Sequence, residues 1–431
     1  MRFLLSLFLT AALYGCHRPS VRHVCTSLSD KRSESLRVEV TGRVDNPDCE
    51  VVMSEYLQKM DGFGYSITAR EANILTHLPP ARLDRVVGDL HVGQGAGAGI
   101  IHLAIKSSGY ERYMGGEIDY DIAWRSIYAS VAADSLSFSP YLRKVISLTG
   151  DKFIWAMPVR EPLDDDVCAS VSEEESMRLY CDYLRLFARN MLDAGIRIDM
   201  TSPHDGLNIV RAPLSDERVA ARFLGRYLGP GMYDLGARIC LGNISSTVPY
   251  DLDAILGNPA AAGYIYSVSF YDSRNCQWII DACKRHGIRH MIAKQQIAGE
   301  GLFDSWDQIR QMVSEGATGY IFSNLSDTTA TGNSIISIDD GGDISYNRDY
   351  FILKHIGDNV APGAIRINTR GRFDDLLAFI NRDNSVVIVA ANRSTETEEF
   401  VVNIGGYALH TVLPPGSLNT MVVLGDNGFF E

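Results

Sequence analysis

Eight β-rich runs separated by helix-length segments constrain the fold of this chain more than any other feature. The runs are almost continuously apolar, as strands buried on both faces of a parallel sheet require. They fall at 62–68, 99–105, 153–158, 196–202, 238–243, 265–271, 289–295 and 317–324. Eight strand and helix repeats predict an α/β fold, a (β/α)8 TIM barrel, in which chemistry is expected at the C-terminal ends of the strands.

The clearest helical pattern lies between the third and fourth of these runs, over residues 172–193. Ser172 and Glu175 have the spacing of a capping box, and apolar side chains then recur at helical intervals as far as Met191. Gly195 follows the last of them. This segment is therefore predicted to be a barrel helix.

The C-terminal part has a different rhythm, with short alternating segments separated by turn signals. Such a pattern over residues 361–431 predicts an antiparallel β-sandwich. Residues 36–55 also alternate, through Val38, Val40, Val44 and Val51, and are predicted to add strands to that sandwich. Between them, residues 56–360 form the predicted barrel.

The N-terminus resembles an export signal. Arg2 and a short apolar stretch precede Cys16 over residues 1–16, which predicts a bacterial lipoprotein signal with lipid attachment at Cys16. Tyr14 departs from the usual residue at its position and leaves an ordinary signal peptide as the alternative. Residues 17–35 are polar and basic and are predicted to be a tether. The protein is thus expected to be exported, to the outer envelope or the periplasm.

The charge balance narrows the choice of partners. The chain has 53 Asp and Glu against 40 Lys and Arg, a net charge of −13, which disfavours binding to a phosphate backbone and so excludes nucleic acid. Its eight cysteines form no CxxC pair, and no metal or cofactor is implied. Membrane contact is expected only through the lipid anchor, and small neutral ligands such as sugars remain open as partners.

Four segments in a fixed order carry a resemblance to a known family. They are Gly62-Phe63-Gly64, the run 316–325, the run 362–367 and the run 385–394. Their order and spacing from about Asp61 to the C-terminus resemble glycoside hydrolase family 30, whose best-known members are the glucosylceramidases. The resemblance implies a barrel with a β-sandwich, and hydrolysis of β-linked glycans by two carboxyl groups about 5 Å apart.

The chain departs from the family at both of these carboxyl groups. The acid/base motif Asn-Glu-Pro falls on His204-Asp205-Gly206, so that Asp205 keeps a carboxyl group on a shorter side chain. A loop aspartate that only stabilises a turn is the alternative. The nucleophilic glutamate falls on Gln295, whose neutral amide cannot form a glycosyl ester. The retaining mechanism is therefore predicted to be absent, and Gln295 to hydrogen-bond a sugar or to have no ligand.

Other positions of the expected site have changed as well. His102 stands where the family has an arginine, and Glu161 lies just past the third strand. Asp205 and Glu161 are a candidate inverting pair if their separation is about 6.5–9.5 Å. Aromatic and imidazole side chains predicted to contact substrate are Tyr65, His102, Trp155, His204 and Tyr271. Barrel packing is the alternative for each aromatic ring.

Two functions from different classes follow. One is a surface glycosidase that cleaves a β-linked glycan or glycoconjugate through Asp205 and an unorthodox partner. The other is a catalytically inactive barrel that binds glycans or serves in assembly at the cell surface. The scaffold favours the first function and the altered site favours the second, because a fold by itself does not establish an activity.

Overall fold

A computed structural model describes most of the chain. It covers residues 19–93, 95–105, 120–159, 171–203, 217–244, 251–271, 276–296, 299–327 and 334–424, apart from the side chains of 120–123, 126 and 127.

The first strand begins inside the polar segment that was predicted to be a tether. Its first strands are β1 (Ser20–Ser27), β2 (Arg32–Leu36), β3 (Glu39–Gly42) and β4 (Cys49–Lys59). Strand β1 pairs antiparallel with the strand Ser417–Leu424 over its whole length, Ser20 opposite Leu424. The tether predicted over 17–35 is thus corrected from residue 20 onward. The buried face of β1 is partly polar, with His23 hydrogen-bonded to Thr411 and Asn419, and this conceals the strand in the sequence.

The next eight strands close into a parallel barrel, as predicted. They are β5 (Gly62–Thr68), β6 (Ile100–Ile105), β7 (Phe153–Pro158), β8 (Met200–Thr201), β9 (Arg238–Ile244), β10 (Ile265–Tyr271), β11 (His290–Lys294) and β12 (Gly319–Phe322). Pairing of β12 with β5, Gly319 opposite Gly62, completes the closure. Strand β8 has only two residues, far fewer than the run predicted there.

Helices surround the barrel. The described ones are Ala69–Thr76, Pro80–His91, Tyr120–Thr149, Glu173–Asp193, Glu217–Phe223, Gly229–Tyr233, Leu252–Leu256, Pro259–Ala262, Gln277–Arg285, Asp304–Glu315 and Arg348–Gly357, with a π-helical turn at Leu224–Leu228. The capping box predicted for the helix 173–193 is formed, since Ser172 accepts from the Glu175 amide and Glu175 accepts from the Ser172 amide. Within the described residues, no helix combines the length and apolarity needed to cross a membrane.

Alternation along the barrel strands sorts side chains into two layers. Those that point inward and pack together are Ile100, Trp155, Met157, Met200, Cys240, Ile292 and Ile321. Their sequence neighbours, such as Ile101, Ile154 and Ala293, pack between the barrel and its helices. Because successive side chains of a strand point to opposite faces, this alternation decides which residues at each strand end face the barrel axis.

The remaining strands form a small sheet and complete the second domain. The small sheet contains β13 (Ser326–Asp327), β14 (Ile336–Ile338) and β15 (Ile344–Tyr346). The others are β16 (Ile365–Gly371), β17 (Leu376–Ile380), β18 (Val386–Asn392), β19 (Glu398–Ile404), β20 (Tyr407–Leu413) and β21 (Ser417–Leu424). They join β1–β4 in one ten-stranded, mostly antiparallel sheet, in the order β2-β1-β21-β18-β17-β16-β4-β19-β20-β3.

The two faces of this sheet have different partners. One face encloses a core of its own, in which Cys49, Phe400 and Met421 are buried. The other face, through Leu377 and Val387, packs into the same hydrophobic core as the barrel helices. The predicted architecture, a TIM barrel with an associated antiparallel β-sandwich, is confirmed.

Candidate functional site

Gln295, which the sequence aligns with the family nucleophile, lies at the end of β11 with its side chain against the helix layer. Its Nε2 donates to the Ser305 Oγ at 3.2 Å, and Ser305 belongs to the helix 304–315 outside the barrel. Its Oε1 accepts from the Ser323 amide at 3.1 Å. Only 2% of the residue is exposed. The amide is therefore engaged in the barrel wall and does not face the barrel axis.

Lys294 occupies the inward position at the same strand end. It has the parity of Ile292, which lies inside the barrel, and it is 6% exposed. Its Nζ lies 5.9 Å from the centre of the Tyr271 ring, at the end of the neighbouring strand β10. A lysine thus faces inward at the end of the seventh strand, where the resemblance to family 30 predicts the nucleophilic carboxylate.

This geometry corrects the assignment of Gln295 to the substrate-facing position. The alternation of side chains along a strand is the sequence signal that points to Lys294. Residues two apart lie on one face, so Lys294 faces the same way as Ile292. The family resemblance matches residue types and carries no information on the direction of a side chain, so it indicates Gln295 and not Lys294. Neither residue carries a carboxyl group.

A buried carboxyl group does lie behind Gln295, in the helix layer. Asp349 is on the helix 348–357 and is 2% exposed. Burial raises its pKa, and hydrogen bonds with Ser305 and Gln295 act in the opposite direction. Because its neighbours place it outside the barrel wall, Asp349 contributes to packing of the helices against β11 and not to the barrel interior.

His102 and Trp155 lie inside the barrel and are fully buried. The His102 Nδ1 is 2.8 Å from the Ser66 Oγ. The rings of His102 and Trp155 meet edge to face, with their centroids 4.4 Å apart. The Trp155 Nε1 donates to the Ser202 Oγ at 2.9 Å. Burial, with a contribution from the charge of Lys294, lowers the His102 pKa well below its usual value, so the imidazole is neutral.

The predicted aromatic contacts are found in different places. The Tyr65 hydroxyl hydrogen-bonds the His91 Nε2 at 2.8 Å and the Tyr141 hydroxyl at 2.6 Å, and the residue is fully buried. The structure therefore places Tyr65 in the layer between the barrel and the helices, which agrees with barrel packing and not with a contact to substrate. Trp155 has its ring faces in the core. Tyr271 is partly exposed beside Lys294, at the end of the barrel where chemistry is expected.

Several predicted site residues lie outside the described part of the chain. They are His204 and Asp205, which follow β8 in the chain, Glu161, which follows β7, and Cys16 near the N-terminus. The inverting pair of Asp205 and Glu161 and the lipidation of Cys16 therefore remain predictions.

A cleft of about 480 Å³ opens at the C-terminal ends of β5, β6, β7 and β12. Its lining includes Thr68, Arg70, Glu71, Ala104, Val159, Asn324 and Asp327. Glu71 accepts from the Thr68 amide at 2.7 Å and from the Ser326 amide at 2.8 Å, and burial raises its pKa. Charged, hydroxyl and amide side chains in the lining of a cleft of this volume can hydrogen-bond a ligand rich in hydroxyl groups. The Thr-x-x-Glu capping box at 68–71 was the only sequence signal for Glu71.

Comparison with known proteins agrees with this architecture. Residues 363–421 match the glycosyl hydrolase family 30 beta sandwich domain. By sequence alone, no curated protein matches the chain.

Solved structures extend the likeness to both domains. SrfJ from Salmonella typhimurium superposes with a TM-score of 0.78 at 16% identity, over 94% of this chain and 100% of that one. An endo-β-1,6-glucanase gives 0.76 at 17% identity, over 94% and 99%. A glycoside hydrolase family 30 subfamily 8 xylanase from Clostridium acetobutylicum gives 0.64 at 17% identity, over 88% and 100%. At such identities the likeness concerns the fold.

The resemblance inferred from the sequence is thus confirmed: the chain joins a family 30 β-sandwich domain to a barrel with the fold of solved glycoside hydrolase family 30 enzymes.

Proposed function

We propose that this protein recognises β-linked glycans at the C-terminal end of its barrel and does not use the retaining mechanism of family 30. Its fold is shared with an endo-β-1,6-glucanase and with family 30 xylanases, which supports a β-linked glycan as the ligand. The cleft beside β5, with charged and amide groups along its wall, supports recognition of sugar hydroxyls there.

The proposed absence of the retaining mechanism depends on the inward position of Lys294. A retaining glycosidase forms an ester between a carboxylate and the anomeric carbon, and its transition state carries positive charge at the sugar ring. At this strand end an ammonium group faces the barrel axis and the neutral Gln295 faces the helices. Neither group can form the ester, and neither supplies the negative charge that stabilises the oxocarbenium-like state.

Two outcomes for catalysis remain within this proposal. In the first, Asp205 and a second carboxyl group such as Glu161 hydrolyse the glycan by inversion. A water molecule then attacks the anomeric carbon directly, so the reaction needs no covalent nucleophile. In the second, the barrel binds glycans without cleaving them. The end of β11 favours the second outcome, because neither Lys294 nor Gln295 can supply the negative charge that stabilises the transition state of a glycosidase.

The test combines hydrolysis and binding. The protein without residues 1–16 is assayed on aryl β- and α-glycosides and on β-linked glucans and xylans, with Asp205→Ala beside it. Turnover that is lost in Asp205→Ala identifies a glycosidase that depends on Asp205, and the anomer released first, followed by NMR, decides between inversion and retention. Binding of the same polymers without turnover identifies a lectin-like protein.

A mechanism-based fluorinated sugar tests the missing nucleophile directly. The expected result is no covalent adduct in intact-protein mass spectra. An adduct on any carboxylate of the barrel would overturn the proposed loss of the retaining mechanism, and absence of both turnover and glycan binding would overturn the proposal as a whole.

Surface attachment through Cys16 is part of the same proposal. Strand β1 begins at Ser20, so that only three residues separate it from Cys16. A lipid at Cys16 would then hold the start of β1, and the end of β21 that pairs with it, close to the membrane. Metabolic labelling with a fatty acid, compared between the full chain and Cys16→Ser, tests the attachment.

A further inference from the structure

A second cleft, of about 610 Å³, lies at the other end of the barrel, where β9 and β10 begin. Its lining includes Tyr233, Tyr264, Tyr266 and Arg238. The segments that form it, 229–239 and 263–266, are described throughout. Catalytic groups of TIM barrels lie at the C-terminal ends of the strands, so this cleft is separate from the predicted catalytic centre. Its volume is in the range of small-molecule sites.

Two of the tyrosines lie at the short helix 229–233. Tyr233 is the last residue of this helix and is 78% exposed. The partly buried Tyr264 lies against the start of the helix, where a Cβ on Gly229 would be 2.3 Å from the Tyr264 Cγ. Glycine at position 229 therefore allows the close approach of the ring. A tyrosine has an apolar ring face and a polar hydroxyl group, which suits a ligand site that is open to water.

The third tyrosine is positioned by a β-bulge. Two steps along β10, from Ile265 to Ser267, pair with one step along β9, so that Tyr266 is the extra residue. A bulge redirects side chains, and here Tyr266 packs against the inward layer of the barrel. Its ring centre lies 4.1 Å from that of the stacked His290 imidazole and 4.3 Å from the Arg238 Cζ. The ring therefore holds the Arg238 guanidinium at the cleft.

Arg238 brings hydrogen-bond donors to this cleft. It is exposed, and among the described residues no carboxylate pairs with it. A guanidinium group carries five N–H donors in one plane, and stacking on a ring leaves donors at its edge available. Donors beside aromatic faces match a sugar, because a sugar ring has apolar C–H faces and a rim of hydroxyl groups.

We infer that this cleft is a second glycan-binding site, in which a sugar unit of a β-linked chain packs against Tyr233 and Tyr264 and accepts hydrogen bonds from Arg238. The inference rests on the proposed glycan recognition and adds a non-catalytic site to it. Two sites on one protein increase its avidity for a polymer that reaches both of them. The N-terminal end of the barrel thus serves to hold the protein on a polymeric glycan.

Hydroxyl-radical labelling, followed by peptide mass spectrometry, tests the site at a single residue. The probes are a xylo-oligosaccharide and a β-1,6-gluco-oligosaccharide at saturating concentration. One of them is expected to reduce oxidation of Tyr233 at least about threefold, because a stacked sugar excludes water from the ring. Tyr56, an exposed tyrosine on β4 of the sandwich, is the internal control and should be labelled equally with and without sugar.

Variants assign the protection to this cleft. Arg238→Gln is expected to lose the protection of Tyr233. Tyr233→Ala should bind the corresponding polymer about fivefold more weakly, the effect of one lost aromatic contact, and Tyr56→Ala should bind it like the wild type. Arg70→Ala changes the cleft at the C-terminal strand ends and should leave the protection of Tyr233 intact. Thermal melting shows that each variant is folded.

The outcomes separate this inference from the proposed function. Glycan binding without protection of Tyr233, or with equal affinity in Tyr233→Ala, overturns the second site and leaves glycan recognition intact. Protection that disappears in Arg70→Ala also overturns it, because the effect would then come from the other cleft. Protection by a proline-rich peptide and by neither sugar would assign the cleft to a protein partner and overturn the inference. Failure to bind any oligosaccharide or polymer overturns both proposals.

Discussion

His355 connects the barrel to the sandwich through both nitrogens of its ring. Its Nδ1 lies 2.7 Å from the Thr420 Oγ1 on β21, and its Nε2 lies 2.8 Å from the Thr26 Oγ1 on β1. His355 itself belongs to the helix 348–357 of the barrel domain and is 3% exposed. The domain interface therefore depends on a neutral imidazole that hydrogen-bonds two strands at once.

This arrangement predicts a loss of stability in acid. Burial lowers the pKa of His355 to about 3, from an ordinary value of 6.5. Between these values the unfolded chain binds the proton and the folded protein does not, so the free energy of unfolding falls as the pH decreases from 6.5 towards 3. Its full contribution is present above 6.5. His91, whose pKa burial also lowers to about 3, and His23 act in the same direction.

His355→Gln tests the contribution of this residue. The variant loses hydrogen bonds and is expected to be less stable than the wild type at neutral pH by about 1–3 kcal/mol. The difference should shrink between pH 6.5 and pH 5, because the variant no longer has this proton linkage. Denaturant unfolding across that range measures it, and His77→Gln on the surface is the control. A difference that is constant with pH would contradict the prediction.

Pairing of β1 limits how many N-terminal residues can be removed without a loss of stability. Strand β1 pairs with β21 over eight positions, and Cys25 on its inner face is 2% exposed. A protein that starts at residue 19 is expected to melt like the longer chain. One that starts at residue 37 loses both β1 and β2, exposes the β21 edge and should aggregate or melt at a much lower temperature.

The comparison of the two truncations also decides between strand and tether. Equal melting temperatures would mean that residues 20–36 contribute nothing to the fold, which is the behaviour of a tether.

Two glycine substitutions should change stability in opposite directions. A Cβ at Gly64 on β5 would lie 1.9 Å from the Ile100 carbonyl oxygen on β6, so Gly64→Ala must displace the backbone of the barrel wall. The expected cost is about 1–3 kcal/mol or more. Gly88 lies within the helix 80–91, and a methyl group added there would meet no atom of a neighbouring element within 4 Å. Gly88→Ala should therefore stabilise the protein by up to about 1 kcal/mol. Chemical denaturation of both variants measures the pair, and effects of the same sign would contradict it.

The orientation of Gln295 predicts that a carboxylate at this position does not restore a nucleophile. Gln295→Glu would bury a second acid beside Asp349, with an expected loss of about 1–3 kcal/mol in the free energy of unfolding. No fluorinated sugar should attach to it. Asn46→Asp, an amide-to-acid change at an exposed residue, should change stability by less than about 0.5 kcal/mol. Covalent labelling of the Gln295→Glu variant would show that this side chain reaches the substrate.

Sequence patterns determined the elements of this protein that depend on local periodicity. Strands β5, β7 and β10 have the bounds that their apolar runs predict, because a strand buried on both faces is apolar along its whole length. The helix 173–193 begins where its capping box predicts. Eight such repeats allow only a few closed topologies, and the barrel followed from them.

Only the tertiary structure decided what each side chain faces. Strand β1 was concealed because its buried polar residue His23 is compensated by Thr411 and Asn419, which are almost 400 positions away. Lys294 and Gln295 are adjacent in the chain, and both residue types are compatible with the polar end of a strand. The closure of the barrel turns one towards the axis and the other towards Ser305, because the pleat of a strand alternates its side chains and the fold fixes which face is inside.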